Sequence, residues 1–385
     1  MITAIIGANY GDEGKGLAVN YFTQHGKNLV VRHNGGAQSG HTVEVGDKRF
    51  VFHEIGSGTF NGAATFWDGT YHPDLYAFNK ERFDLQMRTG IEPTVYCHKY
   101  ATITTIDDVF LNCFKESAQF GSFGSCGMGI WECVCRNNIK YDLPICWVKE
   151  FSKEELYDKL HFIREHYSKP RLAKYIQMYG TNQNASLYQE LLNDDSTLRN
   201  FVIEVKESLN HIKIVDGLWA IIDQFDNVVF ESGQGLLLDG ELDKENGTPS
   251  RTGLYNIRRS LLDVGRDLDE VVYVTRTYLT RHGSGAFVKE FHSKYMTEHL
   301  QYEDLTNQFN CWQGGMRYGA IDIPGLEYRI KQDCPDLDPH ILVTHANTTK
   351  GKFLTPDGRV DIDTLGFKKI YVSDNCSTVG AIINK

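Results

Sequence analysis

The residues best placed to do chemistry come early. After the apolar run Ile2-Thr3-Ala4-Ile5-Ile6 the chain reads Gly7-Ala8-Asn9-Tyr10-Gly11-Asp12-Glu13-Gly14-Lys15-Gly16. Glycines let backbone N–H groups close on phosphate oxygens. A helix starting there adds donors and partial positive charge, and Lys15 adds a full one. The segment is not a Walker A loop. Asn9 stands where that motif has its first glycine, and Gly16 stands where it has the Ser or Thr that ligates magnesium. A phosphate site without that hydroxyl needs another oxygen for the metal, and Asp12 supplies one. Without a ligand the segment is simply a tight strand-to-helix turn. A second glycine-rich turn, Asn34-Gly35-Gly36-Ala37-Gln38-Ser39-Gly40-His41-Thr42, follows the next apolar run, and small neighbours leave the His41 ring open to a ligand. A lone histidine is more often structural. Two such turns after two successive strands shift the weight toward a binding site.

These turns need a frame. Residues 2–7 and 28–33 read as buried strands with a helix over 16–25 between them, and Thr42–Val45 and Arg49–Phe52 flank Gly46-Asp47 as a hairpin. Helices are expected over 73–88, 105–118, 152–167 and 195–212. Apolar strand-like runs return at 227–231, 270–275, 340–344 and 369–373. Strands separated by helices along the whole length predict an α/β fold, a large mainly parallel sheet flanked by helices on both faces, in one domain over 1–385. Ligands in such folds gather beyond the carboxyl ends of the strands, which is where both glycine-rich turns lie.

The chain has 385 residues, 41% of them hydrophobic and 23% charged, an ordinary globular balance that excludes disordered, collagenous and coiled-coil classes. Its net charge of −10 argues against a general binder of nucleic acid or acidic membrane, so an anionic ligand must be held by a few local donors. The nine cysteines are scattered, with no C-x-x-C pair and no zinc-like spacing, which predicts free thiols in a reducing compartment. No secretory leader and no run long enough to span a membrane is apparent, so a soluble, cytoplasmic protein is expected.

Gly11 to Gly16, Gly36, Gly40-His41-Thr42 and His53 to Gly58 together resemble the adenylosuccinate synthetase family. Further segments follow in the family's order: Phe230-Glu231-Ser232-Gly233-Gln234-Gly235-Leu236-Leu237-Leu238-Asp239, then Tyr278-Leu279-Thr280-Arg281-His282-Gly283-Ser284-Gly285-Ala286-Phe287, and more loosely Gly121 to Gly129. The resemblance implies a P-loop-NTPase-like fold and a ligase. That ligase would join C6 of a 6-oxopurine nucleotide (IMP) to L-aspartate, using GTP and Mg²⁺, through a 6-phosphoryl intermediate that yields adenylosuccinate. It also implies a homodimer. The chemistry is coherent: a purine carbonyl oxygen leaves poorly until phosphorylated, and making it nucleophilic requires a base for the N1 proton.

By resemblance, Asp12 is that base and a magnesium contact, with the Gly40 carbonyl as a second metal ligand. His41 stabilises charge on the moving phosphoryl group as electrophile or acid. Lys15 pairs with phosphate oxygens, and Gly11, Glu13, Gly14, Gly16 and Thr42 line the phosphate site. Gln234 reads the purine edge, since an amide both donates and accepts. Gln38, Ser122, Ser125 and Thr252 hold the monophosphate, with Thr248 and Ser250 closing beside Thr252. Arg136 reaches the nucleotide of a partner subunit. Thr344 and Asn347 contact the triphosphate's base, and Arg281 and Arg317 bind aspartate.

The chain also departs from the family. The aspartate loop is arginine-rich in the family, but here the segment from Asn307 to Asp322 keeps only Arg317. Asn347 stands where the family reads guanine with an aspartate, which makes ATP plausible beside GTP. The segment Ser373 to Ser377 only faintly matches the family's base-cradling turn. A phage branch that makes 2-amino-adenylosuccinate from dGMP carries serine where this chain has Asp12, which favours an IMP-like acceptor; (d)GMP and another amine donor remain the alternatives. The rival from another class is a catalytically idle purine-nucleotide-binding regulator. A binder has no use for a base, so the joint presence of Asp12, His41 and Gln234 speaks for the ligase.

Overall fold

The structure, a computed structural model, describes residues 1–118, 125–180, 184–241, 248, 250–283, 285–287, 289–291, 309, 314–374 and 378–385. Seventeen strands occur among them: β1 Ile2–Gly7, β2 Asn28–Arg32, β3 His41–Val45, β4 Lys48–Phe52, β5 Ala64–Trp67, β6 Val95–His98, β7 Ile212–Val215, β8 Asn227–Gly235, β9 Glu270–Arg276, β10 Leu279–Arg281, β11 Glu290–Phe291, β12 Arg317–Gly319, β13 His340–Thr344, β14 Lys352–Thr355, β15 Gly358–Asp361, β16 Lys369–Val372 and β17 Ala381–Asn384. Ten of these form one sheet in the order β17-β16-β13-β9-β1-β8-β2-β5-β6-β7. Every pairing in it is parallel except that of the edge strand β17 with β16. The expected α/β class with a large mainly parallel sheet is the fold observed.

The apolar runs are continuous because both faces are covered. Ala4 and Ile6 of β1 pack with Val228, Phe230, Val271, Tyr273, Ile341 and Val343 against helices Leu254–Val264 and Ile323–Asp333. Ile5 of the same strand points the other way, with Val229, Val272, Val274 and Leu342, onto Leu17, Ala18 and Val19 of helix Lys15–Phe22. Beyond β5 a helical layer (residues 75–89, 106–118, 145–163 and 185–208 among others) shares one apolar cluster with Trp67, Val95 and Cys97.

Several expected elements differ at their ends. The first helix stops at Phe22, three residues early. The helix expected over 152–167 starts after a Ser152–Glu155 capping box and runs on, through a wide turn at Arg164–Ser168, into helix Lys169–Tyr179. The one expected over 195–212 ends at Ser208, and its tail becomes β7. The run expected at 227–231 continues to Gly235, which puts Gln234 on the strand itself. β5, β6 and β17, four residues each, were not expected. The hairpin appears as β3 and β4, with Val45 opposite Lys48 across a two-residue turn. Among the described residues no helix is long and apolar enough to cross a membrane. The seven described cysteines are all free thiols.

Candidate active site

The carboxyl ends of β1, β2, β8, β9 and β13 lie side by side, and their loops build the site. Gly7 ends β1 in register with Gly235 of β8. The chain then turns through three residues at positive φ, Gly11 at 107°, Asp12 at 60° and Gly14 at 97°, before helix Lys15–Phe22 begins. The helix start is pressed against β3. A Cβ on Gly16 would sit 2.6 Å from the Thr42 carbonyl oxygen and 3.2 Å from the backbone carbon of His41, so only glycine fits. This close approach carries His41 into the site.

The glycine-rich loop is organised around its own acid. Glu13 Oε1 accepts the N–H groups of Asn9 (3.0 Å) and Gly11 (2.8 Å), and Oε2 accepts Lys15 Nζ at 2.9 Å. Burial alone would raise the Glu13 carboxyl, but Lys15 and the Gly11 amide outweigh it and hold it below the usual range. Thr344 at the end of β13 donates to the Glu13 carbonyl at 2.6 Å, which ties the loop to the neighbouring strand. From outside, Arg329 donates to the Ala8 carbonyl (2.7 Å) and to Asn9 Oδ1 (2.6 Å), and Arg276 to the Asp12 carbonyl (2.5 Å). The loop is therefore set before any phosphate arrives.

Asp12 is the partly open acid of this loop, its side chain 25% exposed and Oδ2 3.6 Å from His282 Nε2. Burial pushes its carboxyl upward against the pull of His282, Arg276 and Lys15. A raised carboxyl is a stronger base, which suits proton removal near neutral pH. His41 is 6% exposed, and its Nδ1 lies 2.5 Å from Glu231 Oε1. Burial holds the ring neutral, its pKa lowered to about 4 despite that carboxylate. The opposite ring nitrogen, Nε2, is buried and has no partner. Gln234 accepts from Thr248 Oγ1 at 3.2 Å.

The structure thus brings Gly11 to Gly16, His41, Thr42, Gln234 and Thr344 to one corner of the sheet. The Thr252 hydroxyl is near but spoken for, since it donates to the Gly235 carbonyl at 3.0 Å while its N–H binds Asp239. Gln38 folds back onto the Gly36 amide at 2.6 Å. Ser125 accepts from Asn112 Nδ2 at 2.9 Å, and Ser122 lies outside the described residues, as does most of the segment 292–313. Asn347 is exposed on the short turn Ala346–Thr349.

Two expectations are corrected. Arg136 does not reach outward to a partner subunit. It is fully buried, forked onto Asp108 at 3.0 to 3.2 Å, with its remaining donors on the Ile103 and Tyr141 carbonyls. Arg317 does not offer an open fork to a substrate carboxylate. Nε and Nη2 hold Glu290 at 3.0 and 2.6 Å, and Nη1 holds the carbonyls of Gly283 and Gly285. It fastens β12 to the loop after β10. Arg281, opposite it in the β10–β12 ladder, is different. It stacks over Tyr10 at 4.5 Å, donates to the Ala286 carbonyl, and has a buried Nε with no partner.

Sequence reasoning missed Glu231, Arg32, Ser57, His282 and Arg329. Glu231 and Arg32 did carry a signal: each is a charged residue closing an apolar strand run, Val228-Val229-Phe230 and Leu29-Val30-Val31. Burial lowers the Arg329 pKa to about 10, against the pull of Asp322, Tyr10 and Glu13. With Arg281, Arg329 places two guanidinium groups beside Tyr10.

A divalent cation has a credible but sparse home. Among the described residues no three His, Cys, Asp or Glu side chains converge as a metal cage. One part-exposed carboxylate, Asp12, and the exposed backbone at Gly40 match the way Mg²⁺ is usually bound, by one or two protein oxygens plus substrate phosphates.

A family model described as adenylosuccinate synthetase matches residues 4–336. Among curated relatives, the adenylosuccinate synthetase of Francisella philomiragia is 27% identical over 337 residues, covering 85% of this chain and 74% of its own. That of Finegoldia magna is 27% identical over 365 residues, covering 86% and 75%. Two solved structures are similar in fold. Fully ligated adenylosuccinate synthetase from Plasmodium falciparum matches with a TM-score of 0.65 at 21% identity, over 90% of this chain and 77% of that one. The cyanophage S-2L succinoaminodeoxyadenylate synthetase, bound to dGMP and to dATP as an energy donor, matches with a TM-score of 0.63 at 12% identity, over 100% and 95%.

Proposed function

This chain belongs to the adenylosuccinate synthetase family, and from that premise we propose that it joins C6 of an IMP-like 6-oxopurine nucleotide to L-aspartate, at the expense of GTP or ATP, through a 6-phosphoryl intermediate. The observation that carries this reading is the pairing in one corner of a part-open acid of raised basicity, Asp12, with a buried imidazole whose Nε2 has no protein partner. Asp12 takes the N1 proton, so that O6 can attack the γ-phosphoryl group. Lys15, held by Glu13, supplies the fixed positive charge for the phosphoryl group in transit. Gln234 orients the purine edge. Mg²⁺, held by Asp12 and the Gly40 carbonyl, would neutralise phosphate charge.

The arginines available to a dicarboxylic amine donor are Arg281 and Arg329, because Arg317 is occupied by Glu290. Two carboxylates call for two guanidinium groups, and this pair flanks Tyr10 two residues from Asp12. We place the working enzyme as a cytoplasmic homodimer. A second reading, a dGMP acceptor with an adenine triphosphate, is favoured by Asn347 and by the likeness to the phage synthetase bound to dGMP and dATP. Asp12 weighs for IMP. A matrix of IMP, GMP and dGMP against amino acids, with GTP or ATP and Mg²⁺, decides by mass spectrometry. The proposal expects adenylosuccinate from IMP and aspartate. Product from dGMP alone, or triphosphate hydrolysis that needs no amino acid, overturns it.

A further inference from the structure

The loop after β10 is fastened at both ends. Arg317 Nη1 holds the carbonyls of Gly283 at 2.8 Å and Gly285 at 2.7 Å, and Glu290 holds Arg317 in turn. Arg281 lies over Tyr10 and donates to the Ala286 carbonyl. His282 stands between these anchored neighbours, and its Nε2 comes to 3.6 Å from Asp12 Oδ2. That distance is a packing contact and not a hydrogen bond. The ring is only 14% exposed, so most of it is covered by protein. A ring fixed on both sides cannot step back from whatever is brought against Asp12.

The two histidines of the site reach this acid from opposite directions. β1, whose loop carries Asp12, lies between β8 and β9. His41 is tied to Glu231 of β8 and opens β3, which presses on the helix start that carries Lys15. His282 follows β9 by way of β10, on the other side. A purine that gives its N1 proton to Asp12 presents O6 on one flank of N1 and C2 on the other. O6 must face the phosphoryl group, on the side of His41 and Lys15. C2 then faces His282.

We infer that His282 is a specificity-determining residue whose ring fills the space beside C2 of the acceptor purine and so favours hydrogen there over an amino group. The pose of the purine rests on the ligase reading above. The selection uses the volume of the ring, so it holds for either tautomer and either charge of the imidazole. One extra heavy atom against a closed wall is discriminated by about 10- to 200-fold.

Titration calorimetry with IMP or GMP alone tests this without any ligation, and kcat/KM for the two tests it in turnover. The wild-type protein should bind IMP more tightly than GMP. His282→Ala opens the space and should move both ratios toward GMP by about 10-fold or more. His282→Phe keeps a ring of similar width without its nitrogens and should hold both ratios within about threefold of wild type. Equal affinities in the wild-type protein, or an unmoved ratio in His282→Ala, overturn the inference. So does a His282→Phe protein that behaves like His282→Ala, because the nitrogens and not the volume would then select. An unmoved ratio in an enzyme that does make adenylosuccinate sinks the role of His282 and leaves the ligase reading standing. The expected shift in affinity without product from aspartate and a triphosphate does the opposite.

Discussion

Replacing Gly16 by alanine tests whether the helix start positions His41, the histidine proposed to act in the reaction. Gly16 is the second residue of helix Lys15–Phe22 and has ordinary helical φ, so by propensity alone alanine should stabilise by about 1 kcal/mol. Against that, the new Cβ would lie 2.6 Å from the Thr42 carbonyl oxygen and 3.2 Å from both the backbone carbon and the Cβ of His41. A carbon–oxygen contact relaxes to about 3.3–3.6 Å, so helix and strand must separate by roughly 0.7–1 Å. Overpacking of this kind costs about 1–3 kcal/mol, which cancels or exceeds the propensity gain. The larger effect is on geometry. β3 begins at His41, so the separation moves Nε2 away from its place over the site, and a displacement of about 1 Å can cost 10²-fold in rate. Gly90→Ala, at the C-terminal cap of helix Leu75–Thr89, is the control: it meets nothing within 4 Å but carries φ of 74°, so it should cost stability, about 1–2 kcal/mol, without pushing on β3. Phosphate release under saturating substrates, together with thermal melting, separates the two. Gly16→Ala should lose about 10²-fold in kcat with a small change in Tm, and Gly90→Ala should show the reverse balance. A Gly16→Ala enzyme within threefold of wild-type kcat would refute the argument that this contact sets His41.

Asp12→Asn should lower kcat by about 10²–10⁴-fold, with nucleotide affinity largely kept; turnover within threefold of wild type in the same phosphate-release assay would remove Asp12 as the base. Arg136→Ala should destabilise the fold by about 3–5 kcal/mol in urea titration, because it strands Asp108 without its partner, and should leave the KM for the purine monophosphate unchanged in any population that folds. His33 is fully buried, and burial, followed by Arg32, lowers its pKa from 6.5 to about 3. The unfolded chain takes up that proton below pH 6.5 and the folded one does not, so stability is lost as pH falls. Relative to His33→Phe, the wild-type protein should lose about 1.4 kcal/mol more for each pH unit between pH 6 and pH 4. Parallel urea midpoints for the two proteins across that range would contradict it.

What could be read from the sequence was what is local. β1 and the loop after it stand out because an apolar strand, successive glycines and a lysine lie within sixteen residues, and the hairpin of β3 and β4 is marked by Gly46-Asp47 between two alternating runs. β5 and β6 have only four residues each, too few for a period to show, and are strands because β2 and β7 flank them in the sheet. The site followed the same rule. Asp12 and Lys15 are neighbours in the chain. Glu231 reaches His41 across 190 residues, and nothing in either segment announces the other. Arg136 looked like a ligand arginine because it follows a glycine-rich loop; its partner Asp108 is 28 residues earlier, on a different helix. The Glu290 that occupies Arg317 is 27 residues before it, and a lone arginine in a thinned loop gave no warning of that pairing.

The order of strands across the sheet also bears on how the chain is made. β1 lies at the centre, between β8 and β9, yet it is synthesised before every other described strand of the sheet. Its neighbours are complete only at Gly235 and Arg276. At about 5–20 residues per second, the ribosome leaves Ile2 to Ile6 without lateral partners for roughly ten to fifty seconds. During that wait an unpaired, uncharged five-residue apolar run is open to any other nascent chain. The same segment carries the glycine-rich loop, so the site cannot form until the second half of the chain has arrived. Synthesis slowed between β2 and β8 would lengthen this exposure, and yield in the cell should respond to chaperone supply more sharply than the stability of the finished protein would suggest.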